Sequence, residues 1–291
     1  MEDNSNLICF DGDIKPAGSP LAGAQSRGLM YGDGVFETFR TYGDKVLFLK
    51  KHLERLRGGL DELDIKHPEA VRTGQISDYI QTLKEQNDLA GKDAVIRLQV
   101  WREGARGYHP DDIEKSHFMI SASSCPAGFK PIELATVETK RIPSQSLPSK
   151  YKFTNGINYI LAAQQASRKG ADDALMETLS GYVSETTIAN IFWRKGSTIF
   201  TPSKECELLP GITRAIVMDI IRRHGKWNLE EDTYNIDHLA DAEAVWVCNS
   251  VREIVAVQKI NDETYNIDDP LLAELKDRFH DLVNKNLKPL Y

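Results

Sequence analysis

Leu208-Leu209-Pro210-Gly211-Ile212-Thr213-Arg214 places a proline-glycine turn directly before an apolar repeat, Ile212, Ile216, Ile220 and Ile221, that lies broadly on one helical face. A glycine turn entering a helix presents backbone N–H groups that have no partner inside the helix, and the helix dipole favours an anion there. Thr213 adds a hydroxyl. An ordinary glycine-containing loop before a helix looks the same, so this stretch alone leaves both readings open.

Working outward, short strands precede it through Pro202, with a turn at Lys195-Gly196-Ser197. Residues 132–138 read as a strand and 158–169 as a helix. Downstream, Asp269-Pro270 opens a helix with Leu271, Leu275, Phe279 and Leu282 expected inward, since Asp suits the N-cap and Pro the first turn. In the first half, residues 34–42 and 45–49 flank a Gly43-Asp44 turn, a hairpin signal. Leu53, Leu56, Leu60 and Leu63 then mark one helix face, and Ile76, Tyr79, Ile80 and Leu83 another. Residues 94–101 and 117–122 read as strands around a glycine-containing loop, 102–112. Strands and helices do not alternate regularly, which argues against a doubly wound parallel sheet. The fold class expected is α+β in two domains, 1–122 and 132–291, joined by a turn-rich linker at 123–131.

With 291 residues, 41% of them hydrophobic, the chain can build such cores. A formal net charge of −7 opposes non-specific nucleic-acid binding, because a polyanion is repelled on average. Residues 1–6 lack the basic start and apolar core of a secretory signal, and no stretch approaches the roughly 18 apolar residues of a membrane helix. Cys9, Cys125, Cys206 and Cys248 form no CxxC pair, and the seven histidines form no ligand-spaced cluster, so no metal is expected. The expectation is a cytoplasmic protein with reduced thiols.

Two further segments carry ionisable groups in unusual settings. Glu185, in Gly181-Tyr182-Val183-Ser184-Glu185, lies in apolar strand sequence, where a buried carboxylate is costly unless paired. Lys152, in Lys150-Tyr151-Lys152, precedes an amphipathic helix. A strand-edge glutamate and a surface lysine would satisfy both patterns equally well.

Order and spacing lift all three segments together. The run Lys152-Phe153-Thr154-Asn155, Ile160-Leu161-Ala162, Gly170 to Leu175, Val183-Ser184-Glu185, Asn190-Ile191-Phe192 and LPGITR resembles the class IV (fold-type IV) pyridoxal-phosphate aminotransferases. That family includes branched-chain and D-amino-acid aminotransferases and aminodeoxychorismate lyases. Arg27-Gly28, Tyr31-Gly32-Asp33-Gly34-Val35-Phe36-Glu37, His52-Leu53-Glu54-Arg55-Leu56 and Val247-Cys248-Asn249-Ser250 resemble its other signatures, so the likeness spans Phe10 to Gln258.

The resemblance implies pyridoxal 5′-phosphate as cofactor, held through a Schiff base by Lys152, whose amine would then move the substrate proton. Glu185 would pair with the pyridine nitrogen and keep it protonated. Phosphate would be met by the N–H groups of Ile212 and Thr213, hydroxyls of Thr213 and Ser250, and Arg55. Leu209 would pack on the ring. Some branched-chain enzymes have a tyrosine five positions after the lysine. Here Ile157 stands there, so that contact is missing or made by another residue, Asn155 being one candidate.

Tyr31, Phe36 and the arginines Arg27, Arg97 and Arg106 match segments that line the family's substrate pocket. Strand alternation leaves Arg97 facing either the pocket or solvent. Two pocket arginines would call for a second substrate carboxylate. Val95-Ile96-Arg97-Leu98 and Asn249-Ser250-Val251 depart from the branched-chain pattern. Arg106-Gly107-Tyr108 looks more like the lyases, while D-amino-acid enzymes share an arginine-bearing loop there. The resemblance therefore implies a transaminase of D-glutamate or D-alanine with a 2-oxo acid. The alternatives are a lyase, an L-branched-chain enzyme or a non-catalytic scaffold. Family members are homodimers, in which the segment matching Arg27 to Tyr31 reaches the partner's site.

Overall fold

The computed structural model describes residues 6–104, 106–109 and 115–290. Residues 1–5 of the polar N-terminus and residues 105 and 110–112 of the 102–112 loop lie outside these residues. The chain forms two compact units, each mixing helices with β-sheet. The first comprises 1–126, 151–156 and 286–291, and the second 127–150 and 157–285. Residues 126–127, where the chain leaves the first unit, fall inside the turn-rich 123–131 stretch. Two segments differ from a single cut there, and strand pairing explains both. Lys152 belongs to a segment bridged to the N-terminal sheet, Val35 opposite Phe153. The C-terminal strand Leu287–Pro289 pairs with the same sheet.

In the first unit, strands β1 (Leu7–Phe10), β2 (Asp13–Pro16), β3 (Gly34–Tyr42), β4 (Lys45–Leu47), β5 (Ala94–Arg102) and β6 (Ser116–Ser124) form an antiparallel sheet. Its order is C-terminal strand, β4, β3, β5, β6, β1, β2. The expected hairpin is β3–β4, turning at Gly43 with φ 56°. Helices are α1 (Arg27–Tyr31), α2 (Leu49–Glu62), α3 (Glu69–Thr73) and α4 (Ile76–Gln86). Period-two alternation buries Val35 and Phe39 of β3, Ile96, Leu98 and Val100 of β5, and Phe118 and Ile120 of β6. Leu53, Leu56 and Leu60 of α2 and Ile76, Ile80 and Leu83 of α4 belong to the same core. Leu63, expected on the α2 stripe, is instead its C-cap and only half-buried.

Alternation also buries Glu37 completely, and α2 answers it. Arg55 donates from Nε (2.6 Å) and Nη2 (2.7 Å), and His52 Nδ1 lies 2.7 Å away. Burial raises the Glu37 carboxyl, but the Arg55 charge and the Arg55 and His52 hydrogen bonds outweigh it and hold the pKa at about 2.

In the second unit, β7 (Ile132–Thr136), β8 (Asp173–Glu177), β9 (Val183–Thr186), β10 (Asn190–Lys195), β11 (Thr198–Pro202), β12 (Asn228–Asp232), β13 (Ala244–Asn249) and β14 (Glu253–Ile260) follow the order β12-β11-β10-β13-β14-β7-β8-β9. A short strand, Glu263–Thr264, pairs with β14. Parallel pairs β11–β12, β14–β7 and β7–β8 mix with antiparallel ones. A further pairing, Asn190 opposite Glu185, joins β9 to β10 and closes the run β10-β13-β14-β7-β8-β9 into a ring. Leu134, Leu175, Val183, Ile191, Trp193, Val245, Val247, Val255 and Val257 form its buried core.

Around this ring lie α5 (Ile157–Arg168), α6 (Ile212–His224) and α7 (Pro270–Asn286). Asp269 caps α7, accepting the Leu272 N–H at 2.9 Å. Its buried face is Leu272, Leu275, Phe279 and Val283; Leu271 and Leu282, expected inward, are half-buried. The 3.6-residue period selects one residue further along at each end. In α6 the buried stripe is Ile216, Ile220 and Ile221 with Thr213, Val217 and Met218, leaving Ile212 half-buried. Among the described residues no helix is long and apolar enough to cross a membrane.

The Glu37 cluster makes the first unit acid-sensitive. Because the folded pKa lies below the ordinary 4.5, its contribution is complete above that value and is lost as pH falls toward about 2. Arg55→Ala should destabilise the protein by about 3–5 kcal/mol near neutrality by stranding the carboxylate. In urea titrations that difference should shrink at about pH 3; an unchanged midpoint at neutrality would refute the pairing.

Candidate active site

In the first unit, the strand register decides where the cations point. Phe36 lies opposite Gln99, and Gln99 opposite Met119; Thr38 lies opposite Arg97, and Arg97 opposite Ser121. These six share the half-buried face of the sheet, opposite the one that carries Glu37. Arg97 therefore joins Phe36, and its guanidinium lies 3.9 Å from that ring centroid. Desolvation lowers its pKa. Gln99 Oε1, at 3.4 Å, is its hydrogen-bonding neighbour, and no carboxylate pairs with it among the described residues.

Lys152 reaches the same ring. Phe36 N–H donates to the Lys152 carbonyl (2.9 Å) and Thr154 N–H to that of Gly34 (2.9 Å), laying the segment along β3. The Lys152 Nζ stands 4.7 Å from the Phe36 centroid. Lys152 is half-buried, whereas Lys150 is exposed. On the β5 side of the same strand Gly34 leaves no room for a side chain, since a Cβ there would come within 2.4 Å of the Val100 carbonyl oxygen.

Arg27 finds hydrogen-bond partners within its own unit. It is buried, with Nε on Asp33 (2.7 Å) and Nη1 on the Gly107 carbonyl (2.6 Å), while Arg102 Nε shares Asp33 at 3.0 Å. These contacts hold a loop in its own unit; sequence could not show that Asp33 would claim it. Tyr31, half-buried, accepts the Gly107 N–H at 2.9 Å, and its ring lies 5.5 Å from that of Tyr108. Arg106, beside this anchor, is exposed. Arg55 turns Nε and Nη2 onto Glu37, which fixes where its guanidinium lies.

In the second unit, Glu185 sits at the pairing that closes the ring, buried to 4% exposure. Tyr159 donates its hydroxyl to Oε1 (3.0 Å), and Asn190 Nδ2 (3.2 Å) and Leu209 N–H (3.1 Å) donate to Oε2. Arg141 Nη2 lies 3.4 Å from Oε1. Asn190 also donates to the Leu209 carbonyl at 2.8 Å, stapling the Leu208–Gly211 turn against β10. From that turn α6 starts at Gly211, with no side chain capping it. The Thr213 and Ser250 hydroxyls are 3.3 Å apart. Arg214 fixes the first turn through Pro202 O (2.7 Å) and Glu231 (2.8 Å). Leu209 and Ile212 are half-buried.

Each unit thus brings part of the expected set together: Lys152, Phe36 and Arg97 in the first, and Glu185, Leu209, Ile212, Thr213 and Ser250 in the second. Tyr159, Arg141 and Asn190 carried no role in the sequence reading. Asn190 opens the Asn190-Ile191-Phe192 motif, and Tyr159 lies two positions beyond Ile157. Among the described residues no group of three or more His, Cys, Asp or Glu could hold a metal ion.

A family model, amino-transferase class IV, matches residues 34–260, and the chain belongs to that family. Aminodeoxychorismate lyase of Vibrio harveyi is 30% identical over 251 residues, covering 84% of this chain and 89% of the relative. A putative branched-chain-amino-acid aminotransferase of Methanocaldococcus jannaschii is 32% identical over 263 residues, covering 89% and 90%. Among solved structures, the branched-chain aminotransferase of Thermoproteus uzoniensis, with norvaline, superposes with a TM-score of 0.89 at 23% identity, covering 98% of this chain and 99% of the other. That of Escherichia coli gives 0.88 at 20%, covering 98% and 99%. At such identities the two superpositions show the fold. Class IV aminotransferases use pyridoxal 5′-phosphate, and the two-unit α+β architecture is the fold-type IV one.

The residues present fit that cofactor. A half-buried amine can meet an aldehyde, a buried carboxylate a protonated ring nitrogen, and an uncapped helix start with two hydroxyls a phosphate.

Gly211 is the tightest point of the second unit's share. A Cβ there would come within 2.2 Å of Asn190 Oδ1, and Asn190 is tied to both Glu185 and Leu209. Gly211→Ala should weaken pyridoxal-phosphate binding by on the order of 10-fold through that displacement. Fluorescence titration of the apoprotein measures it; wild-type affinity would show that the side chain yields freely.

Proposed function

We propose that the protein transfers an amino group between a dicarboxylic amino acid and a 2-oxo acid, with Lys152 as the cofactor lysine. The observation that carries this reading is Arg97, a desolvated guanidinium stacked on the ring that Lys152 Nζ also covers, with no carboxylate of the described chain on it. A guanidinium in that state gains most from a carboxylate brought by the substrate. Bound pyridoxal phosphate supplies a ring that accepts the electrons of the substrate Cα.

The chain supplies everything else. Lys152 contributes an amine that takes and returns the Cα proton. Glu185 holds a proton on the ring nitrogen, which also offsets the cost of burying a carboxylate in the ring of strands. The N–H groups of Ile212 and Thr213 and the Thr213 and Ser250 hydroxyls would hold the phosphate, and Arg55, expected to add charge there, would do so while its Nε and Nη2 serve Glu37. Leu209 supplies apolar surface to the ring. Phe36 offers its ring to both cations, and Tyr31 anchors Gly107, next to Arg106.

The two relatives are named for branched-chain amino acids and aminodeoxychorismate, and neither name carries a D-amino acid. The part of the substrate that the geometry supports is its second carboxylate, so D-glutamate stands to be compared with L-glutamate. A lyase is the second reading, favoured by the Arg106-Gly107-Tyr108 loop, which is anchored on Tyr31 and Arg27 and presents a further cation for a dianionic substrate. Two copies of the chain are expected to associate; Ile157, Ile160 and Leu161 leave an exposed apolar patch on α5.

Borohydride reduction followed by peptide mass spectrometry should place the pyridoxyl label on Lys152; a label elsewhere would overturn the assignment. Single-turnover spectra with D-glutamate, L-glutamate, D-alanine, L-leucine and aminodeoxychorismate then sort the substrate. Arg97→Gln should raise KM for the preferred glutamate by about 30-fold or more, the scale of a lost buried charge pair, and change L-leucine or D-alanine little. Equal losses on all substrates would remove Arg97 from the side-chain carboxylate. Rapid pyruvate release from aminodeoxychorismate with no amino acid reacting would establish the lyase.

A further inference from the structure

Tyr159 stands in the first turn of α5, where its hydroxyl donates to Glu185 Oε1 at 3.0 Å. The Arg141 guanidinium lies 4.4 Å from the Tyr159 ring centroid and 3.4 Å from that same carboxylate oxygen. Arg141 is buried and fixed on three sides. Its backbone N–H donates to Glu177 O (2.8 Å), its Nε to Glu207 O (3.1 Å) and its Nη1 to Asn158 Oδ1 (3.1 Å). Tyr159 is thereby clamped between a cation that cannot retreat and the carboxylate.

A hydrogen bond donated to the ionised form of an acid lowers its proton affinity. A donor is effective here only while it keeps its own proton. Burial first, and the Glu185 charge second, push the Tyr159 phenol far above its ordinary 10, against the opposing pull of Arg141. The hydroxyl therefore remains a donor wherever the protein is folded. Asn190 and the Leu209 N–H do the same for Oε2, but both also serve the turn before α6. The Tyr159 hydroxyl, donating to Glu185, is no part of that staple and can be removed without undoing it.

We propose that Tyr159 is a positioning residue that fixes the Glu185 carboxylate and lowers its basicity, so that a proton facing it stays on the cofactor's ring nitrogen. The inference rests on the pairing of Glu185 with that nitrogen proposed above. Its consequence is specific. Without the hydroxyl, Glu185 becomes the better base, the proton shifts toward it, and the ring withdraws electrons less strongly. Cofactor would still be held by Lys152 and the phosphate donors.

Tyr159→Phe, Glu185→Gln and the double variant test this in the holoenzyme. Tyr159→Phe should keep the borohydride label on Lys152 and a near-wild-type thermal midpoint. The pH midpoint of the bound cofactor's visible band should rise by roughly half a pH unit to one, the scale of one hydrogen bond to a charged group. Its kcat should fall about 10-fold with KM nearly unchanged, the pattern of a contact acting on the chemical step. Glu185→Gln should move the same midpoint further, and adding Tyr159→Phe to it should move it no more, because the hydroxyl acts through the carboxylate. If Glu185→Gln shifts the midpoint but Tyr159→Phe does not, or if the two shifts simply add, the assignment of Tyr159 is overturned. If Glu185→Gln leaves the midpoint unmoved, the pairing itself fails and the inference falls with it.

Discussion

A carboxylate buried in a ring of strands is the constraint around which the second unit is organised. Glu185 lies at the single pairing that joins β9 to β10, so the residue that closes the ring is also the one most expensive to bury there. Four neighbours answer it: a tyrosine hydroxyl, an amide, a backbone N–H and an arginine. Each comes from a different piece of chain, α5, β10, the turn before α6, and the loop after β7. Satisfying one charge therefore fixes the relative placement of four segments, including the helix start that would receive a phosphate.

The first unit solves a related problem by different means. Its sheet carries Glu37 on the helix-covered face and Arg97 on the other. Glu37 is fully paired by α2, and its depressed pKa records a completed structural interaction. Arg97 is shifted by desolvation instead, with an aromatic ring in place of a carboxylate. Two desolvated charges on one strand pair thus differ in kind, one paired by two side chains and the other with no carboxylate on it among the described residues. Arg27 shows that residue type alone does not tell these apart, because its guanidinium is committed to Asp33 and a loop carbonyl.

Much of this architecture was legible in the residues themselves. Period-two and 3.6-residue patterns located the β3–β4 hairpin, α2, α4, α6 and α7, since apolar spacing reports which face is buried. It was less exact at element ends, where Leu63, Leu271 and Leu282 were assigned inward although helix geometry turns them partly out. The turn and the start of α6 were readable because glycine placement and helix polarity are local properties, while an anion site and an ordinary loop stayed equally open there. Lys152 and Glu185 were not distinguishable from surface charges on local grounds; ordered resemblance to a family singled them out.

What the sequence determined by itself was therefore the longer helices and several of the strands, the α+β class and the family's motifs, all of which depend on neighbours along the chain. Only the tertiary structure decided that Lys152 runs beside β3 with the N-terminal sheet, that Arg97 shares its face with Phe36, and that Tyr159 and Arg141 flank Glu185. Each of those facts is a pairing between residues far apart in sequence. Strand register and helix packing set such pairings, and local propensity carries no record of which distant partner a face will meet.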